Sequence, residues 1–293
     1  MRDRLKIWLL AMRPRTLTLS LAPVAVGAAL AFAEAGGLRW SAVLIAFLAS
    51  ALIQIATNLH NDAADFFRGG DGPERIGPLR VAAAGLLDAR MVERAAAACF
   101  AGAAFCGLDL VWLGGWPILT LGLVSILCGW AYSSGPMPIS ASPFGEIFVI
   151  AFFGLGATCG TYFLAIGRLD AIALLGGGAL GFFAAAVLLV NNHRDRIEDA
   201  RNGRRTLAIV LGPRATAVLY AALMLAPFLL LLPIAALLPS RAVLAALAAA
   251  PMSIWLIRRF FREPPGPGFN LILAATAQCQ AAFALLFCIG AVL

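Results

Sequence analysis

The chain has 293 residues, 62% of them hydrophobic and 13% charged, with a mean hydropathy of +0.91 and a net charge of +7. Soluble domains run about 45 to 50% apolar, so this composition excludes one and predicts an all-α, polytopic helical bundle in the lipid bilayer. The positive charge is explained below by where it falls along the chain, and gives no footprint for a nucleic-acid partner.

Nine apolar stretches come near the length of about 20 residues that a bilayer crossing needs. In chain order they cover about residues 17–34, 39–60, 92–113, 115–133, 145–167, 170–192, 213–237, 241–257 and 270–293. The first follows Arg2, Arg4 and Lys6 and ends in Ala31-Phe32-Ala33, a pattern a signal peptidase accepts. With eight more spans behind it, it reads as the first helix of a polytopic protein. Cytoplasmic loops collect Lys and Arg. With the N-terminus in the cytoplasm, 19 of the 22 basic residues fall on the cytoplasmic side, and only Arg39, Arg168 and Arg241 lie outside. This bias places the protein in the cell's inner (cytoplasmic) membrane, with its two long charged loops, 61–91 and 193–212, facing the cytoplasm. No linker long enough to separate domains occurs, so residues 1–293 read as one domain. Gly154-x-Gly156 and Gly176-Gly177-Gly178 suit close helix contact. Six scattered cysteines without a C-x-x-C pair read as packing residues.

Two acidic clusters break the apolar pattern, each where a span ends: Asn58-x-x-Asn61-Asp62-x-x-Asp65 with Asp71 beyond, and Asn191-Asn192-x-x-Asp195-x-x-x-Asp199. A carboxylate at a membrane-helix centre costs about 2.5 to 3.5 kcal/mol on insertion scales. Asn58 and Asp62, Asn191 and Asp195, and Asp195 and Asp199 are spaced i, i+4, which stacks their side chains on one helix face. Mg²⁺ binds through one or two carboxylates plus waters and substrate phosphates, so the two clusters point to a divalent metal site that holds a phosphate ester. Arg75, Arg80, Arg194, Arg204 and Arg205 lie in the two charged loops and suit a diphosphate. The bland alternatives are interfacial salt bridges for the aspartates and helix caps for Asn58, Asn61, Asn191 and Asn192. Asp71 and Glu74 suit either a metal shell or a solvated loop. His60 and His193 adjoin the clusters without enough partners for zinc. A secondary transporter would carry its carboxylates near the bilayer midplane, whereas these lie at one edge.

The motifs Asn58-Leu-x-Asn61-Asp62-x-x-Asp65-x-x-x-Gly69-x-Asp71, Arg75-Ile-Gly-Pro-Leu-Arg80 and Asn191-Asn192-x-Arg194-Asp195-x-x-x-Asp199-x-x-x-Gly203-x-x-Thr206-Leu207 resemble those of the UbiA superfamily of intramembrane prenyltransferases. Within it the chain is most similar to the 1,4-dihydroxy-2-naphthoate prenyltransferases of menaquinone synthesis. Arg13-Pro14-Arg15-Thr16 and Gly145-Glu146 fall where that branch has comparable residues. The resemblance implies Mg²⁺ held by Asp62, Asp65, Asp195 and Asp199 with Asn58 and Asp71, and catalysis by those four aspartates and Tyr132. The diphosphate of an allylic polyprenyl substrate would be bound by Asn58, Asn61, Arg75, Arg80, Asn192, Arg194, Arg204 and Arg205. An aromatic acceptor would attack the allylic cation, with 1,4-dihydroxy-2-naphthoate losing its carboxyl; 4-hydroxybenzoate and homogentisate are the alternative acceptors. Phe144, Phe148, Phe152, Phe153, Phe182 and Phe183 are available to line the bundle. The chain departs from the family between Tyr132 and Glu146, where no Lys or Arg follows the tyrosine.

Overall fold

A computed structural model describes residues 2–69, 76, 77 and 79–293. The described residues form helices and turns with no strand. The α-helices are α1 (Arg2–Met12), α2 (Pro14–Ala35), α3 (Trp40–Phe67), α4 (Ala89–Ala131), α5 (Gly145–Val149), α6 (Ala157–Ile166), α7 (Ala171–Arg194), α8 (Arg196–Arg201), α9 (Leu207–Leu237), α10 (Ala250–Arg262) and α11 (Phe269–Val292). A π-helical segment, Ile150–Gly156, joins α5 to α6, and a 3₁₀ segment, Arg241–Ala249, leads into α10.

Among the described residues, eight helices are long and apolar enough to cross a membrane. One of them, α4, has 43 residues, about 65 Å of helix against a hydrocarbon core of about 30 Å. It is a hairpin. Gly115 has φ 67° and ψ −154°, a backbone conformation open to glycine and closed to residues with a Cβ, and Pro117 restarts the helix beyond it. A Cβ built on Gly129 would lie 3.1 Å from the ring of Phe100, so the legs before and after Gly115 run back alongside each other. Counting this helix as two recovers the nine crossings expected from the sequence. The same break recurs at Gly212 (φ 71°), where a short helical stretch from Leu207 turns into the ninth helix proper.

The bundle divides into a solid half and a hollow half. In the solid half α7 is the central helix, packed against α2, α9, α11 and the π segment. Its small residues permit that: a Cβ on Gly154 would stand 2.4 Å from the Gly177 carbonyl and the Gly181 Cα, so the expected glycine contact is real. Phe183, Phe228 and Phe283 interlock in this core. Polar side chains inside it find partners, with Tyr220 to Thr276 at 2.8 Å and Ser253 donating to the Met224 carbonyl at 2.9 Å. All six cysteines are free.

The hollow half lies between α2, α3, both legs of α4 and the α5–α6 segment. It holds a half-open apolar cavity of about 320 Å³. Phe148, Phe152 and Phe153 line it, as anticipated. Phe144 is instead exposed, while Phe182 and Phe183 pack in or against the solid core. Sequence alone could not separate them, because α7 is apolar on every side and its inward face is set by its neighbours.

The two ends of the bundle differ in chemistry. Both acidic clusters sit at helix C-termini, on α3 and α7, at one end. At the other, where α2 and α6 terminate and α7 begins, the fully buried Tyr162 bonds Glu34 and Asp170, and Arg168 pairs with the same two carboxylates.

Candidate active site

The first cluster closes α3 and is built into the fold through three side chains. Asn58 donates to the Met12 carbonyl at 3.0 Å and to Thr16 Oγ1 at 3.1 Å, and accepts from Gln54 at 3.3 Å. It thereby fixes the junction of α1 and α2, where Arg13 takes a left-handed backbone (φ 53°). The buried Asp62 carboxylate accepts the backbone N–H groups of Val81 and Ala82 at 3.0 and 3.3 Å, pinning the loop that carries Arg80 onto the helix end. Asp65, also buried, is ringed by guanidinium groups: Arg80, Arg68 at 2.7 Å and Arg204 at 3.1 Å. Arg80 donates further to the Asn61 carbonyl at 3.2 Å, so the Asn61 backbone enters the site.

The second cluster closes α7. The almost fully buried Arg194 grips Asp195 through two bonds of 2.7 Å, and donates to Asn191 at 2.9 Å and Asn270 at 2.7 Å. Asn270 also donates to the Ile76 carbonyl at 3.0 Å, tying the start of α11 to the first loop. Asn192 donates to Glu146 Oε1 at 2.9 Å. Asp199, on α8, lies 3.3 Å from Arg204.

Arg204 therefore joins the two clusters, with one guanidinium contacting Asp65 of the first and Asp199 of the second. Burial acts to lower its pKa, and the two carboxylates more than offset that, so the group stays charged. Its neighbour Arg205 is exposed and donates its backbone N–H to the Ala141 carbonyl at 2.8 Å, which anchors the 132–146 loop. Tyr132 stands where this charged end meets the cavity, which it lines together with Gln54 and Thr57. Burial, and then the Glu146 charge, push its phenol pKa upward, while Arg204 and Arg13 pull it down.

Of the residues expected from the sequence, Asn58, Asn61, Asp62, Asp65, Arg80, Tyr132, Asn192, Arg194, Asp195, Asp199 and Arg204 gather at this end. Asp71 and Arg75 lie outside the described residues. Arg68, Gln54, Asn270 and Ser134, which lies 2.7 Å from His60, were not anticipated. A signal existed for Gln54, a polar residue inside an apolar span four positions before Asn58. Asn270 had a weaker one, as the lone amide opening the last span.

No group of three or more His, Cys, Asp or Glu is drawn together as a ready metal cage among the described residues. The donor chemistry nevertheless fits Mg²⁺, which takes hard oxygens, needs few protein carboxylates and completes its shell with water and phosphate. Arg204 shows where a cation is wanted, since carboxylates from both clusters converge on its positive charge.

A model of the UbiA prenyltransferase family matches residues 20–272. The 1,4-dihydroxy-2-naphthoate octaprenyltransferase of Escherichia coli is 33% identical over 98% of this chain and 96% of its own length. That of Mycobacterium tuberculosis is 36% identical over 74% of each. Among solved structures, a UbiA homolog from Archaeoglobus fulgidus bound to GPP and Mg²⁺ superposes with a TM-score of 0.70 at 17% identity, covering 98% of this chain and 99% of that one. Apolar helices, paired acidic clusters at one end and an apolar cavity among the helices agree with these matches: the chain belongs to the UbiA prenyltransferase family, as a multi-pass membrane transferase.

Proposed function

We propose that the protein transfers a polyprenyl group from an allylic diphosphate to 1,4-dihydroxy-2-naphthoate, with loss of the ring carboxyl as carbon dioxide, in the synthesis of menaquinone. The observation that carries this reading is the meeting of two acidic clusters on Arg204 at the end of an apolar cavity that begins at Tyr132. The names of the E. coli and M. tuberculosis relatives support the naphthoate acceptor, and the A. fulgidus homolog supports an allylic diphosphate with Mg²⁺. One transferase domain spans residues 1–293. The excess of Lys and Arg in alternate loops supports an inner-membrane protein whose charged end faces the cytoplasm.

In this reading Asp62, Asp65, Asp195 and Asp199, with Asn58 and Asp71, hold the metal. Bound there, Mg²⁺ would offset the charge of the leaving diphosphate. The side chains do the rest. Arg75, Arg80, Arg194, Arg204 and Arg205 and the amides of Asn61 and Asn192 orient the diphosphate and keep it from recombining with the cation. The cavity takes the prenyl tail and excludes water, so the allylic carbon meets the aromatic ring before a water molecule. Tyr132, kept as a neutral phenol, presents its ring face to that carbon.

The test is a product assay on purified protein in nanodiscs with polyprenyl diphosphates and three acceptors: 1,4-dihydroxy-2-naphthoate, 4-hydroxybenzoate and homogentisate. A prenylated, decarboxylated naphthoquinol that vanishes with EDTA is expected. Product from another acceptor alone would replace the naphthoate, and no metal-dependent product from any pair would remove the reading.

A further inference from the structure

We infer that Glu146 is the proton carrier of the transfer, taking the proton of the acceptor's ring hydroxyl as the carbon–carbon bond forms and returning it when the carboxyl leaves; this rests on the reaction proposed above. Glu146 sits in the first turn of α5 with 3% of its surface exposed. One carboxylate oxygen accepts from Asn192, while the other is sealed from solvent and has no hydrogen-bond partner among the described residues. The other carboxylates of the site are neutralised or multiply bonded: Asp62 by two backbone N–H groups, Asp65 and Asp199 by Arg204, and Asp195 by Arg194. Glu146 has no ion pair among the described residues.

An unmatched carboxyl in a membrane interior is costly and is retained where it does something. Its position defines what that is. Phe148 and Val149, two and three residues on, line the cavity together with Tyr132. Glu146 thus joins the helix turn that lines the cavity to Asn192 of the second cluster.

The chemistry there needs one proton moved twice. The ring carbon bearing the carboxyl, adjacent to a hydroxyl, attacks the allylic cation, and the hydroxyl oxygen becomes a carbonyl as its proton passes to Glu146. The product of that step is a β-keto acid. Its carboxylate leaves as carbon dioxide, the electron pair of the broken bond returns to the ring, and Glu146 gives the proton back to the oxygen. No oxidant is consumed and no net proton is lost at the oxygen. Asn192 holds the carboxyl in place in both of its protonation states, since its amide N–H donates to either.

Glu146→Gln preserves a carbonyl for Asn192 and removes the proton acceptor. In the nanodisc assay, kcat for naphthoate prenylation is expected to fall by about 100-fold or more, while KM for either substrate moves by less than about threefold. Glu146→Asp is expected to recover about tenfold or more over the Gln variant. Mg²⁺-dependent release of diphosphate without acceptor, read on the same samples, should fall far less than transfer. Transfer by Glu146→Gln within about threefold of wild type overturns the proton role, as does an equal loss of transfer and diphosphate release in the Gln and Asp variants. The latter would mark Glu146 as a support for Asn192. Wild-type protein that prenylates no acceptor overturns the underlying reaction itself.

Discussion

The two acidic clusters carry similar residues but are integrated into the protein in opposite ways. The first is held from far away in sequence: Asn58 by Met12 and Thr16, Asp62 by Val81 and Ala82, and Asp65 by Arg80 and Arg204. In the second the aspartates are held within their own segment, with Arg194 clamping its neighbour Asp195 and Asn191, and Arg204 donating its backbone N–H to the Asp199 carbonyl, while only Arg194 and Asn192 reach out, to Asn270 and Glu146. The carboxylates of the first cluster therefore organise the fold at this end, and those of the second are held locally. Removing a carboxylate should entangle stability with activity in the first and separate them in the second.

The largest effects test that separation directly. Asp195→Asn should lower turnover by about 1,000-fold or more and lower the unfolding midpoint in detergent less than truncation of Asp62 does, because Arg194 loses its carboxylate but keeps Asn191 and Asn270. Asp62→Asn should lose turnover as fully and still insert and fold. Asp62→Ala should go further, since two buried N–H groups lose their acceptor at about 1 to 3 kcal/mol each. Equal thermal stability of Asp62→Ala and Asp195→Asn would erase the distinction between the clusters. Next in size is the link between them. Arg204→Ala should cost about 100-fold in kcat, and Arg205→Ala about tenfold, as its side chain is exposed and its structural bond comes from the backbone. Similar losses at the two arginines would show that the bridge to Asp65 and Asp199 has no special role.

Most of the fold was legible in the sequence because a bilayer imposes one length and one polarity on each crossing. The boundaries of α7, read at 170–192 and found at Ala171–Arg194, show this, and so does the separation of 92–113 from 115–133 at Gly115. The two loops are shorter than the sequence suggests: 61–67 continues α3, and 193–212 contains α8 and the start of α9. Polar residues there read as loop because helices that leave the membrane lose their apolar pattern without ceasing to be helical. The aspartates were legible by their cost. Their partners were not, because Arg68, Arg80 and Arg204 are equivalent in composition and only the approach of the two helix ends selects among them. Glu146 gave the faintest signal, a single acid after a glycine, and its lack of an ion pair among the described residues is visible in three dimensions alone.

The smallest effect is expected at Tyr132, and its two halves can be told apart. Burial keeps the phenol above its ordinary value of 10.0, so the neutral form persists up to that pH and no alkaline limb below it belongs to this residue. A neutral tyrosine offers a hydroxyl and a ring face. If the ring face is what meets the allylic cation, Tyr132→Phe retains activity within about threefold, while Tyr132→Leu loses about 5 to 30-fold, the equivalent of about 1 to 2 kcal/mol of cation–π attraction. If the hydroxyl is what counts, by steadying the diphosphate in place of the base that this loop lacks, Phe and Leu fall together. Steady-state kinetics of the two variants at pH 7 and pH 9 decide between these, and a Phe variant as poor as Leu would shift Tyr132 from the cation to the leaving group.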